Sequence, residues 1–132
     1  MLRLTLLMLL LINTSVFAQS SFWLKEWTID SANVPDEVYK NLVDRTINLQ
    51  VDQIVDPIHE GCKNPDYSDI KLRPVADLDK HFGAFWRWPS FPKSTEIFGW
   101  IRCDGSNEGA YIFVDTRRAY TLGEDSAVIR LK

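Results

Sequence analysis

His59 and Cys62 stand three residues apart, and His81 and Cys103 follow at wider intervals. Imidazole nitrogen and thiolate sulfur are the usual ligands of zinc, so these four residues are the first chemistry to weigh. A closed structural zinc site draws on tight ligand pairs, and only His59 and Cys62 are close in sequence. The cysteines have a competing use. Two thiols in a small chain bound for an oxidising compartment read as one disulfide, here Cys62–Cys103. Closing a loop of about forty residues stabilises a fold by roughly 4 kcal/mol on the chain-entropy argument. Pairing withdraws both thiols as ligands and as nucleophiles, so no metal site and no cysteine for covalent catalysis are expected. His59 is then expected in a loop and His81 facing solvent.

Other catalytic patterns are missing from the sequence. There is no Gly-x-Ser-x-Gly elbow, no His-Glu-x-x-His and no phosphate-cradling glycine loop. Carboxylates are plentiful between Asp30 and Asp79, Asp56 and Asp69 among them. They fall on polar faces and turns, where ordinary solvated charges belong. No catalytic residue and no cofactor are assigned.

The most unusual local sequence is His81-Phe82-Gly83-Ala84-Phe85-Trp86-Arg87-Trp88-Pro89-Ser90-Phe91-Pro92. Its large aromatics follow neither a period of two nor one of 3.6, and two prolines forbid a central strand. It reads as a loop or extended arm. Two uses are open: a lid over one barrel end that completes a small core, or a contact for a partner through Phe85, Trp86, Arg87, Trp88 and Phe91. Arg87, between two tryptophans, has a ring to stack on in either case.

The elements that must position these residues are strand-like. Trp23, Lys25, Trp27 and Ile29 share one face of an extended segment. Thr46–Val55 alternates Ile47, Leu49 and Val51 with Asn48, Gln50 and Asp52, which reads as one strand closed by Pro57 and Gly61. Between them, Val38, Leu42 and Val43 recur at helical spacing behind the acidic start Asp36-Glu37, predicting one short helix over about Pro35–Asp44. Asp69–Arg73 and Thr95–Cys103 read as further strands. Asp104–Gly109 reads as a turn-rich loop into Ala110–Asp115, and strands at about Ala119–Leu122 and Ala127–Leu131 close the chain. Alternation implies one buried and one wet face. The expected fold is mainly β: a small antiparallel barrel or sandwich with one short helix near the N-terminus.

Met1-Leu2-Arg3, the apolar run Leu4–Val16 and the small residues at Val16 and Ala18 have the build of a secretory signal over residues 1–18, cut before Gln19. The run is too short for a comfortable membrane span. Gln19–Lys132 is then a single β-rich domain of 114 residues, periplasmic or secreted. Arg3 is the signal's one charge, so this domain carries 14 basic and 18 acidic residues, a net charge of −4. That sign is wrong for a dedicated nucleic-acid binder. Its aromatic content, including all five tryptophans, supports a packed core.

An N-terminal Trp strand, a helical turn, a strong strand and then Cys62-Lys63-Asn64-Pro65-Asp66-Tyr67 resembles small bacterial periplasmic β-barrel proteins of lipocalin-like (calycin-like) type. Trp100-Ile101-Arg102-Cys103 and Val128-Ile129-Arg130-Leu131 are similar to their later strands. The resemblance implies a fold and a periplasmic address, and no catalytic residue. Three functions are carried forward. The first is a non-enzymatic domain that docks on another exported protein, as an inhibitor or immunity protein does. The second is a barrel carrying a small apolar molecule between Trp23, Trp27 and Trp100, and the third an enzyme of unrecognised type.

Overall fold

The run Ala110-Tyr111-Ile112-Phe113-Val114 is apolar at every position, and a strand of that composition must be covered on both faces. This requirement organises the molecule. The computed structural model describes residues 21–35 and 37–132, so the expected signal segment lies outside the described residues. The elements are β1 (Glu26–Ala32), α1 (Glu37–Lys40), β2 (Thr46–Leu49), β3 (Gln53–Asp56), β4 (Glu60–Lys63) and β5 (Lys71–Pro74). A 3-10 turn (Val75–Asp77) and α2 (Leu78–Phe82) precede β6 (Thr95–Cys103), β7 (Ser106–Asp115), β8 (Arg118–Leu122) and β9 (Val128–Leu131). The strands form one antiparallel sheet in the order β4-β3-β2-β1-β9-β8-β7-β6-β5, and the expected mainly β class holds.

The sheet curls into a half-barrel whose open side is bridged between β4 and β6. Cys62 and Cys103 are joined there as the sequence predicts, with their Cα atoms 6.0 Å apart. Beside them, Asp66 and Arg102 exchange backbone hydrogen bonds of 2.8 and 3.0 Å. The disulfide thus fastens an edge strand to the far end of the same sheet.

The concave face holds one core: Trp23, Trp27, Ile29, Ile47, Leu49, Ile101, Tyr111, Phe113, Ile129 and Leu131. The convex face of β6–β9 holds a second, from the alternate residues Phe98, Ala110, Ile112, Val114, Tyr120, Leu122 and Val128. Its cover comes from Leu78 and Phe82 of α2 and from Trp86, Trp88 and Phe91. The expectation of one wet face therefore fails for this half of the sheet. The aromatic arm does not cap a barrel end; it lies across the convex face, because that face is apolar and needs cover.

Three local expectations change. The single strand Thr46–Val55 is a hairpin, β2 and β3, turning at Val51-Asp52 with Gln50 N–H donating to Gln53 C=O at 3.0 Å. Val51 is 76% exposed at the tip, and the buried positions shift phase to Ile54 and Asp56. The loop Asp104–Gly109 shrinks to Asp104-Gly105, whose φ values of 52° and 78° give the doubly left-handed two-residue turn that suits a hairpin. Ser106–Gly109 is consequently strand. The helix expected over about 35–44 is the four-residue α1, and a second short helix, α2, occupies Leu78–Phe82, where none was expected. No helix of the described residues is long and apolar enough to cross a membrane.

Candidate functional site

A cleft of about 460 Å³ opens where the two apolar layers meet, its lining drawn from both the concave core and the convex layer. Tyr39 and Leu42, around α1, form one wall, and Ile58 and His59 of the β3–β4 turn form another. Trp86 of the arm and Trp100 of β6 supply indole surface. Two carboxylates join the lining: Glu108, on β7, and Glu124, in the β8–β9 turn. Trp86 is fixed by its indole N–H, which donates to Phe82 C=O at 2.9 Å. The Trp100 ring stands edge-on to Phe82, with centroids 5.4 Å apart.

His59 anchors this region. Its Nδ1 lies 2.6 Å from Asp56 Oδ2 and its Nε2 2.7 Å from Leu122 C=O. A carbonyl and a carboxylate only accept, so both ring nitrogens carry protons and the imidazole is cationic. Burial opposes that charge, but the hydrogen bond and charge of Asp56, followed by the Leu122 carbonyl, raise His59 above its ordinary value. Burial likewise opposes ionisation of Asp56, yet His59 and the Tyr111 phenol hold its carboxylate below the usual range. The backbone N–H groups of Ile58 and His59 donate to the other Asp56 oxygen at 2.7 and 3.1 Å, and Tyr111 O–H donates to Oδ2. Gly109 makes room for this cluster: a Cβ there would sit 3.1 Å from His59 Nδ1 and 2.8 Å from the Tyr111 ring.

An Asp–His–Tyr group in a cleft invites comparison with a catalytic triad, and the hydrogen bonds decide against it. A general base needs one ring nitrogen free to take a proton, and both in His59 face acceptors of the fold. The cluster locks the β3–β4 turn onto β7 and β8.

A second carboxylate–histidine group lies beside β6, with Asp69 over Gly99. Asp69 Oδ1 accepts from Arg73 Nη2 at 2.8 Å, and Oδ2 lies 2.8 Å from His81 Nε2 and accepts the Trp100 backbone N–H at 2.7 Å. Burial opposes the Asp69 charge, but the Trp100 N–H, His81 and Arg73 lower its carboxyl below the ordinary value. His81 is not simply solvent-facing: its ring packs edge-on against Phe82 and Phe98. Asp56 and Asp69 are thus not solvated charges. Both were hidden in the sequence because their partners are made by folding, at separations as large as 55 residues for Asp56 and Tyr111.

Of the expected partner contacts, Phe85 is 66% exposed and packs at a tilt against Trp86, with centroids 5.1 Å apart. Arg87 is exposed, while Trp86, Trp88 and Phe91 are half-buried. Trp88 donates to Asp79 Oδ1 at 2.6 Å, and Phe91 packs edge-on to Tyr120. The cations seated over rings are Lys25 on Trp27 and Arg73 on Phe98, at 4.2 and 6.0 Å, not Arg87. The tryptophans proposed to line one interior cavity are not brought together: Trp23 and Trp27 fill the concave core, and Trp100 belongs to the convex layer. Sequence reading missed Glu108 and Glu124 as neighbours of Trp86. The one available signal was Asp104-Gly105, a hairpin turn that makes Glu108 a strand residue.

No protein-family model, curated protein or solved structure matches the chain.

Proposed function

We propose that this chain is an exported, non-enzymatic binding domain that captures another protein through the aromatic arm and the cleft beside it. One observation carries the reading: Phe85, a large apolar side chain left in water, lies tilted against the Trp86 that walls the cleft. Exposed aromatic and arginine side chains around a recess are what protein interfaces use as anchors. The disulfide and the signal-like start support a periplasmic or secreted address. A relationship to lipocalin-like periplasmic proteins, and an inhibitor- or immunity-like role, belong to the same proposal. The engagement of both His59 nitrogens and both cysteines supports a binding role over catalysis.

The apolar-carrier alternative has a narrower basis. With Trp23 and Trp27 packed, a small apolar ligand has to use the external cleft, whose volume lies within the range of small-molecule sites.

A photo-reactive phenylalanine analogue at position 85, in the exporting cell, tests the proposal, with position 51 as the control. A discrete protein adduct from position 85 that position 51 does not give is the expected result. Identical patterns from the two positions, or none, would remove the arm as a docking surface.

A further inference from the structure

We infer that the cleft beside the aromatic arm receives one cationic side chain, arginine or lysine, presented by a loop of the captured protein. The inference rests on the protein-capture reading and names the chemistry of its anchor.

The argument begins with what the cleft offers a visitor. The acidic residues of its lining are Glu108 and Glu124, the latter exposed. Glu108 is half-buried, and neither carboxylate takes part in an ion pair among the described residues. Elsewhere Asp56 pairs with His59, Asp69 with Arg73 and His81, and Asp30 with Arg130 and Lys132, whereas the buried Glu96 has no ion pair among the described residues. Among the described residues, no lysine or arginine lines the cleft.

His59 is the cation in the lining, and it does not reverse the sign. Its charge is met by Asp56 at 2.6 Å and more weakly by Glu108, and its second N–H is already donated to Leu122 C=O. It therefore has no donor left for an anionic visitor. The side chains that meet a charge here accept hydrogen bonds, so the matching ligand group must donate them and carry positive charge.

The walls fit the same class. Indole faces attract a guanidinium or ammonium group, and the aliphatic surface of Leu42 and Ile58 suits the methylene stem that such a side chain keeps in apolar contact. Arginine suits such a lining best, because its planar fork donates in several directions while stacking on a ring. The net charge of −3 for the whole chain steers a basic loop in the same direction. An anionic group has no such partner here, and Glu108 has the His59 charge within electrostatic reach.

The test uses the folded, disulfide-bonded protein, amide-labelled for two-dimensional NMR and titrated with acetyl-Gly-Arg-Gly-amide. Peptides with citrulline or norleucine in place of the arginine serve as neutral controls. The expected result is saturable shifts at Gly109, Gly123 and the Trp86 and Trp100 indole N–H signals, with citrulline binding about tenfold or more weakly. Glu108→Gln should weaken the arginine peptide about tenfold while leaving the thermal midpoint in place. Equal binding of citrulline or norleucine would overturn the inference in favour of an apolar occupant, and an absence of saturable shifts would overturn it outright. The two proposals fail separately. A cross-link from position 85 without arginine binding leaves protein capture standing and removes the cationic anchor. Arginine binding without a cross-link does the reverse.

Discussion

The concave and convex faces of β6–β9 are built from alternate residues of the same strands, yet they are finished in different ways. On the concave face Trp27, Ile47, Phe113, Ala119, Ile129 and Leu131 are fully buried, and the open side is bridged by the disulfide. On the convex face the cover is a connecting arm whose Trp86, Trp88 and Phe91 remain half-exposed, and Trp86 reaches a cleft that the two layers share. The difference separates two tasks. The fully buried side chains of the concave face secure the fold, and a face covered by a loop keeps apolar surface within reach of a partner.

The sharpest way to break this comparison is to empty the filled face. Trp27 is 0% exposed, and its indole N–H donates to Trp23 C=O at 3.0 Å. Trp27→Ala should cost about 3–5 kcal/mol, measured by urea unfolding. A cost below that of a convex-face truncation would mean that the concave core is not the one holding the fold.

The closure of the half-barrel ranks next. Replacing both Cys62 and Cys103 by serine releases an edge strand from β6 and should cost about 2–4 kcal/mol. Thermal unfolding of the oxidised, reduced and double-serine proteins checks this. Equal midpoints for all three would show that the Asp66–Arg102 bridge and the concave core suffice to close the sheet.

How much of this was legible in the sequence depended on range. Strand β6 has the bounds that alternation predicts, Thr95–Cys103, and the cysteine pair needed only the count and the compartment. β2 and β3 were fused because Val51 continued the apolar alternation of Ile47 and Leu49, although it caps a turn in water. The two-faced burial of β7 was written in the unbroken run Ala110–Val114, but the one-wet-face expectation overrode it. The site was least legible. His59, the partner of Asp56, meets Leu122 across 63 residues, and no local pattern separates a carboxylate with such partners from a solvated one.

A smaller effect separates the buried charge pair from the exposed cleft beside it. His59 has a folded value raised above its ordinary one near 6.5. Its contribution is therefore complete below about pH 6.5 and is lost as the pH rises through the raised value. Asp56 behaves oppositely: its contribution is present above its ordinary value near 3.8 and is lost as the pH falls through the lowered one. Stability should decline at both ends, by about 1–2 kcal/mol on the alkaline side, the size of a charge-assisted hydrogen bond. Thermal midpoints recorded across this range should lose the alkaline limb in His59→Gln. Its persistence in that variant would place the titration elsewhere.

The arm itself allows the finest division, between the aromatics that cover the sheet and the one that faces water. Trp88 packs near Phe82 and donates to Asp79, so Trp88→Ala removes both cover and a hydrogen bond and should cost about 1–2 kcal/mol. Phe85 rests on Trp86 with two thirds of its surface exposed, so Phe85→Ala should stay within about 0.5 kcal/mol of the native protein. If the convex layer serves a partner, that nearly silent substitution should still weaken capture, because an exposed aromatic contributes most when a second surface buries it. Unfolding curves and binding of the cross-linked partner, measured on the same pair of variants, give the answer. A Phe85→Ala protein that is as stable and binds as tightly as the native one would leave Phe85 without a role in either task.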